Sequence, residues 1–222
     1  LTVACSFGHA GAVDVLLKHK ADPAIFHPEL RASGRGTDTA LLAACRANST
    51  ETVSRLLAAG VDANHRPPIT EQMANLDPWS PLIEAACNGR DVIVATLLAS
   101  KADPNLNLKG NAGPLYFAAC NGYLESTRML VEAGAEVDGA DRSNGRNGLW
   151  WAATEGHAVI CGYLVDVGAN VNHHLHERAE RAGTTPLYQA SARGHHDTIT
   201  MLLEKKADIN VKEWKSGHTA LH

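Results

Sequence analysis

The chain has 222 residues, of which 45% are hydrophobic and 20% are charged, and its formal net charge is −4. This composition is that of an ordinary folded protein and argues against intrinsic disorder. The mild charge predicts no strong field for nucleic acid or anionic membranes. Within these residues there is neither an apolar run of about 18 residues nor a secretory signal, so we expect no membrane insertion.

The five cysteines show no CxxC spacing and are odd in number. Such usage predicts free thiols in a reducing compartment rather than a disulfide framework. We therefore expect an intracellular, cytoplasmic protein.

Six segments of the chain align with one another without a gap, at residues 1–23, 39–64, 80–105, 113–138, 147–172 and 185–210. One turn residue recurs in each, at separations of 40, 41, 33, 34 and 38 residues: Gly8, Asn48, Gly89, Gly122, Gly156 and Gly194. "TALH" at 219–222 starts a seventh copy, and Leu1 falls after the opening turn of the first. We expect a single repeat array over residues 1–222, which is a fragment of a longer array.

Each repeat predicts two short helices joined by a turn. A capping-type residue precedes Pro81, Pro114 and Pro186, and proline suits the first turn of a helix. A pair of small residues follows, such as Ala85-Ala86, where neighbouring helices would approach closely. A second helix follows the turn, with apolar residues at helical spacing, as in Val13, Leu16 and Leu17. Lys20, Lys101 and Lys206 end second helices where other copies have glycine, which predicts a left-handed backbone.

The segment "TPLYQASARGHHDTITMLLEKKADIN" at 185–210 resembles an ankyrin repeat, whose pattern is a TPLHxA opening, two helices and a turn at a period near 33. The resemblance covers essentially the whole chain. It implies an all-α, ankyrin-type solenoid of helix-turn-helix repeats with projecting finger loops, which binds other macromolecules. Tyr116, Trp150 and Tyr188 depart from the family, because they stand where it usually has the histidine of TPLH.

Extra sequence falls between repeats, in the predicted fingers, at residues 24–38, 65–79 and 173–184. Doubling a loop costs only about 0.6 kcal/mol in closure entropy, so neutral variation in length is one interpretation. The other is that the long fingers extend a binding surface.

The resemblance implies that the residues after the small pair of each repeat face solvent on the concave inner side. They are Ser6-Phe7, Arg46-Ala47, Cys87-Asn88, Cys120-Asn121, Thr154-Glu155 and Ala192-Arg193. As partner-binding candidates we select Arg46, Asn88, Asn121, Glu155 and Arg193 on this face, and Trp79, Arg142, Arg146 and Trp214 on the fingers. Trp79 and Trp214 could instead pack against an adjacent finger, whereas Trp150 and Trp151 are expected to pack in the core.

No motif for catalysis is present: the chain has no GxxxxGK, no GxSxG and no HExxH. His9, His157 and His195 recur with the repeat, which indicates a structural role. The finger "HHLH" at 173–176 leaves metal binding open, with His195 and His196 as further ligands, but it offers no cysteine and we predict no metal site. We expect no enzyme activity and no cofactor.

The predicted function is noncovalent recognition of a protein partner by a monomeric scaffold or adaptor module. Nucleic acid is not expected, because the inter-repeat segments hold ten Lys or Arg against eight Asp or Glu. Two alternatives stay open. The array could be the targeting part of a larger enzyme, channel or ubiquitin-pathway adaptor, or it could be a structural spacer.

Overall fold

The computed structural model describes residues 1–24, 39–66, 79–108, 112–176, 179 and 182–221. The predicted long fingers 24–38 and 65–79 lie largely outside these ranges. The hypothesis that these two fingers extend a binding surface therefore falls outside the described residues. The chain divides into unit 1, Leu1–Leu108, and unit 2, Lys109–His222.

Twelve helices and no strand form within the described residues. In unit 1 they are α1 Thr2–Ser6, α2 Ala10–Lys18, α3 Ala40–Arg46, α4 Thr50–Ala58, α5 Pro81–Cys87 and α6 Asp91–Ala99. In unit 2 they are α7 Pro114–Cys120, α8 Leu124–Glu132, α9 Gly148–Glu155, α10 Ala158–Asp166, α11 Pro186–Arg193 and α12 His196–Glu204.

Within each unit, the odd-numbered first helices and the even-numbered second helices each form their own layer. In unit 1, α3 packs between α1 and α5, and α4 packs between α2 and α6. In unit 2, α9 packs between α7 and α11, and α10 packs between α8 and α12. This arrangement confirms the prediction of an all-α ankyrin-type solenoid built from helix-turn-helix repeats. A single domain over 1–222 stays a prediction.

The first helices begin where the sequence predicts. Side-chain oxygens of Ser80, Asn147 and Thr185 accept from the backbone N–H three residues later, at 3.2, 2.9 and 3.2 Å. Each bond satisfies one of the amides that a helix leaves unpaired at its start. Pro81, Pro114 and Pro186 occupy the first helical turn.

The small pairs lie in the core. Ala85, Ala86, Ala152 and Ala153 are fully buried. A Cβ on Gly148, at the start of α9, would lie 3.3 Å from the Ala119 Cβ of α7, so these two helices approach as closely as small side chains allow.

The five cysteines are free, as the sequence predicts. Cys5, Cys45 and Cys161 are buried core residues. Burial raises the pKa of Cys161 to about 12, so its thiol stays protonated and unreactive at neutral pH.

Polar side chains join successive repeats at the ends of the second helices. In unit 1 the Asn64 Oδ1 accepts from Asp103 N at 2.8 Å. In unit 2 Asp138 Oδ2 accepts from Asn170 N at 3.1 Å, and Asn172 Oδ1 accepts from Asp208 N at 2.8 Å. These bonds hold the start of each finger against the next.

The histidines that recur after the turn glycine also join repeats, which confirms their structural role in unit 2. His157 Nε2 donates to the Cys120 carbonyl oxygen at 3.1 Å, and His195 Nε2 donates to the Thr154 carbonyl oxygen at 2.9 Å. Each bond satisfies a carbonyl at the end of a first helix.

The three lysines that end second helices have the predicted left-handed backbone, with φ of 60° at Lys20 and 65° at Lys101 and Lys206. A residue with a Cβ is strained there by about 1 kcal/mol relative to glycine. Changing Lys101 to Gly is therefore expected to raise the free energy of unfolding by up to about 1 kcal/mol, measured by urea denaturation.

Gly134 supplies the matched reverse substitution, because it ends a second helix at φ 90° and a Cβ added there would meet no heavy atom within 4 Å. Changing Gly134 to Lys should lower the free energy of unfolding by a similar amount. A clear loss of stability in Lys101→Gly would contradict the strain argument.

Candidate protein-binding surface

Two fingers of unit 2 are closed by an acidic side chain. Asp141 donates its N–H to the Arg146 carbonyl oxygen at 2.8 Å. Its carboxylate accepts from Asn144 N at 2.7 Å, from Arg146 N at 3.1 Å and from Ser143 Oγ at 2.6 Å. The turn 141–146 is therefore preorganised, because the carboxylate satisfies the backbone amides that it encloses.

Glu213 closes the turn 213–218 in the same way. Its N–H donates to the His218 carbonyl oxygen at 2.7 Å, and its carboxylate accepts from Lys215 N at 3.0 Å. Hydrogen bonding by Ser216, first through its side chain and then through its backbone, lowers the pKa of Glu213. The ionised carboxylate is thus the form that holds this finger.

Neighbouring fingers are joined through their backbones. His176 N donates to the Asn144 carbonyl oxygen at 3.0 Å, and Trp214 N donates to the Ala182 carbonyl oxygen at 3.0 Å. Between these contacts, Leu175 and Ala182 of the finger 173–184 are buried. The three fingers of unit 2 therefore form one connected surface.

Trp214 covers a glycine of the neighbouring finger. A Cβ on Gly183 would lie 2.6 Å from the Trp214 Cδ1, and the His174 ring lies 5.5 Å from the Trp214 ring between centroids. Trp214 is nevertheless 47% exposed. Trp214 therefore packs against the adjacent finger and still presents one side to solvent.

Changing Gly183 to Ala is expected to destabilise this contact, because the added methyl meets the indole and because φ is +81°. Gly194→Ala is the matched control, since Gly194 has a φ of +73° but no heavy atom within 4 Å of the added Cβ. Thermal unfolding should show that Gly183→Ala costs about 1 kcal/mol more than the control. Equal losses would mean that the indole moves aside freely.

An aromatic cluster lies beside the finger 139–147. We use this name for Tyr116, Phe117, Arg146, Trp150 and Trp151. The Arg146 guanidinium lies 5.3 Å from the centre of the Trp150 ring and 5.5 Å from that of Trp151. The Trp150 and Trp151 rings meet edge to face at 5.2 Å, and Tyr116 meets Trp151 in the same way at 6.0 Å.

The cluster is buried at its base and open at its edge. Trp150 is only 4% exposed and packs against Leu175, whereas Tyr116, Phe117 and Trp151 are half-buried. Burial raises the pKa of Tyr116 to about 12, and the negative charge of Asp141 adds to the rise. The Tyr116 hydroxyl is thus neutral at physiological pH.

Three of the candidates lie in unit 2 one helical turn after the position that Trp151 occupies. Asn121 follows Phe117 by four residues and Glu155 follows Trp151 by four, so each pair shares a helix face. Arg193 holds the same place on α11. All three are exposed, as is Arg142 on the finger 139–147, whereas Arg146 is half-buried.

In unit 1 the candidates are more deeply involved in packing. Arg46 Nε lies 3.3 Å from Glu84 Oε2, and both side chains are largely buried. Asn88 is exposed and donates to Glu84 Oε1 at 3.0 Å. Trp79 is half-buried just before the cap residue of α5.

One expectation about exposure is wrong. Thr154 is buried, and its hydroxyl donates to the Trp150 carbonyl oxygen at 2.8 Å. Arg46 occupies the equivalent position of its own repeat and is half-buried beside Glu84. At the next position Asn88, Asn121 and Glu155 are exposed, but Ser6 and Ala192 show that the first position can be exposed too.

Each histidine of the finger 173–176 contacts a residue of a neighbouring finger. His173 Nε2 donates to the Gly145 carbonyl oxygen at 2.6 Å, His174 packs on Trp214, and the His176 ring lies over Gly145. Among the described residues, no group of three or more His, Cys, Asp or Glu side chains is placed to hold a metal ion.

No helix in the described ranges is long and apolar enough to cross a membrane.

Comparison with known proteins gives one consistent result. The family model described as "Ankyrin repeats (3 copies)" matches residues 41–141 and 115–213. The chain is 32% identical over 187 residues to the human protein "Mitochondrial disaggregase", a match that covers 83% of this chain and 24% of that protein.

Two further relatives are similar over shorter stretches. Human "Ankyrin repeat domain-containing protein 63" is 33% identical over 109 residues, covering 49% of this chain and 28% of that protein. "E3 ubiquitin-protein ligase XBAT32" of Arabidopsis thaliana is 29% identical over 163 residues, covering 63% and 32%. The chain thus spans about a quarter to a third of the length of these relatives.

The family model covers more than half of the chain, and the described helices follow the repeat it represents. Ankyrin repeats are modules for protein–protein interaction. The helices of each unit pack as helix-turn-helix repeats of this family. The chain belongs to the ankyrin repeat family.

Proposed function

We propose that this chain recognises its protein partner through the exposed side of its first helices together with its fingers. The partner-binding residues would be the nine candidates Arg46, Trp79, Asn88, Asn121, Arg142, Arg146, Glu155, Arg193 and Trp214. No reaction is proposed for this chain.

The aromatic cluster of unit 2 is the observation that supports this proposal most strongly. Tryptophan, tyrosine and arginine are enriched at interface hot spots, where a few residues carry most of the affinity. Here all three kinds of side chain meet beside a preorganised finger, with Asn121 and Glu155 one turn away. A rigid surface of this kind loses little conformational entropy on binding.

Calorimetric titration with a partner protein tests the proposal through two matched sets of alanine variants. The first set replaces the candidates one at a time. The second set replaces Ser54, Arg128 and Thr200, which are exposed on second helices. The first set should lose affinity and the second should keep it, each variant being checked for folding by circular dichroism. Equal losses from both sets would contradict the assignment.

A second proposal concerns the whole protein. The chain spans 24% of the human disaggregase and 32% of the Arabidopsis ubiquitin ligase, so similar arrays occur within larger proteins whose names denote different activities. We propose that this array is the targeting part of such a protein, whose working domain lies outside these residues. Sequencing the full-length reading frame tests this proposal. A reading frame that encodes only ankyrin repeats would contradict it and favour a scaffold or a structural spacer.

We also propose an intracellular, cytoplasmic location and a monomeric array. The five free cysteines support a reducing compartment. A protein partner is proposed rather than nucleic acid, because the charges of the fingers are mixed. Fluorescence microscopy of the tagged protein tests the location. Sedimentation equilibrium of the purified chain tests whether the array is monomeric.

A further inference from the structure

Arg146 carries a charge that no acidic side chain pairs with in the described part of the chain. Its Nε is buried and has no hydrogen-bond partner there. None of the ion pairs between described residues includes it. A guanidinium that loses water without gaining an anion is costly, so a partner that covered this site would have to supply one.

Asp141, the acidic residue of the finger 139–147, is already occupied. Its oxygens accept from two backbone N–H groups and from Ser143 Oγ, and the Arg146 contribution comes from the backbone N–H and not from the guanidinium. Asp141 therefore closes the turn and leaves the Arg146 charge available.

The indole rings fix the position of that charge. A guanidinium over aromatic faces is held by cation–π attraction and presents its N–H groups in a planar fork that matches a carboxylate. The half-buried rings of Phe117 and Trp151 offer apolar surface on the adjacent helices. The site thus combines the Arg146 guanidinium with the apolar surface of the Phe117 and Trp151 rings.

We infer that the aromatic cluster binds a segment of the partner protein that carries an Asp or Glu beside an apolar side chain. This inference rests on the proposed function. The carboxylate pairs with the Arg146 guanidinium, and the apolar side chain packs on Phe117 and Trp151. A carboxylate fits better than a phosphate group, because the exposed Glu155 one turn from Trp151 repels a dianion more strongly than a monoanion.

A phage-displayed library of random 12-residue peptides, selected on the immobilised chain, provides the test. Enriched sequences should share an acidic residue next to an aromatic or aliphatic one. Synthetic copies of these peptides are then titrated while tryptophan fluorescence is recorded. Changing the peptide Glu to Gln, or the protein Arg146 to Ala, should weaken binding about tenfold or more.

Arg128→Ala is the matched control. Its guanidinium also lies over an aromatic ring, 4.8 Å from the centre of Tyr163, but on the second helices. Binding to this variant should be unchanged. The Glu-to-Gln change in the peptide leaves the protein untouched, so that arm does not depend on whether Arg146→Ala folds normally.

The outcomes separate this inference from the proposed function. Two outcomes would contradict the acidic ligand but leave the proposed function standing. In the first, the peptides need Trp151 but bind equally well after Arg146→Ala. In the second, the selected peptides lack a carboxylate. Selection of no binder at all also contradicts the acidic ligand. Peptides that lose affinity on Arg128→Ala and keep it on Trp151→Ala overturn the proposed surface itself.

Discussion

Replacing Leu149 with alanine is expected to lower the free energy of unfolding by about 2–5 kcal/mol. Leu149 is fully buried in α9, the first helix that packs between α7 and α11. The substitution removes apolar contacts and leaves a cavity that the neighbouring helices cannot collapse to fill. In a repeat array most stability comes from such interfaces, so both sides of the repeat should weaken.

Urea denaturation followed by circular dichroism measures this loss. Val159→Ala is the control, because Val159 is an apolar residue of α10 that is 62% exposed. Its replacement should change the free energy of unfolding by about 0.5 kcal/mol or less. A Leu149 variant no less stable than the Val159 variant would contradict the packing.

Replacing Trp214 with alanine is expected to cost about 2 kcal/mol or more of partner affinity, which is a factor of about 30. The exposed side of its indole is large, apolar and rigid, and the buried side is held by Gly183 and His174. The same change at Trp79, which is half-buried before α5, is expected to have a comparable effect. Titration calorimetry with the partner protein measures both.

Thr200→Ala is the control for Trp214, since Thr200 is exposed on α12 of the same unit. It should leave the affinity unchanged. Because Trp214 also packs on the adjacent finger, the unfolding midpoint of the variant must be measured beside its affinity. A Thr200 variant that loses as much affinity as the Trp214 variant would show that the partner binds elsewhere.

The helices, their caps and their small core residues could be predicted because they follow from local chemistry. Proline after Ser80 or Thr185 marks a helix start by itself, and a lysine in the place of a recurring glycine indicates the left-handed backbone that Lys101 adopts. Six aligned copies strengthen every such inference, since an accident in one copy is not repeated in the others.

The exact exposed positions could not be predicted from alignment alone. Arg46 and Thr154 share one position and Asn88 and Glu155 share the next, and only the packing of neighbouring helices decides which of the two faces solvent. Arg46 is half-buried because Glu84 on α5 pairs with it. The sequence indicates this burial only when Arg46 is considered together with Glu84, its ion-pair partner in the next repeat.

The contacts between neighbouring fingers could not be predicted either, because their bonds join residues far apart in the chain. Nothing near Asn144 indicates that His176 will donate to its carbonyl oxygen, and Asp141 by itself resembles any charged loop residue. The sequence does contain one signal. Asp141 and Glu213 both stand four residues before a glycine, in equivalent fingers, which is the pattern of a turn closed by an acid.

Hydrogen–deuterium exchange of the chain, free and saturated with its protein partner, tests the proposed binding surface most directly. Binding is expected to slow amide exchange in the fingers 139–147 and 211–218. It is also expected to slow exchange at Asn121, which follows α7, and at the ends of α9 and α11 that carry Glu155 and Arg193. Exchange in α8, α10 and α12 should change little. Protection confined to those second helices, with the fingers unchanged, would contradict the proposed surface.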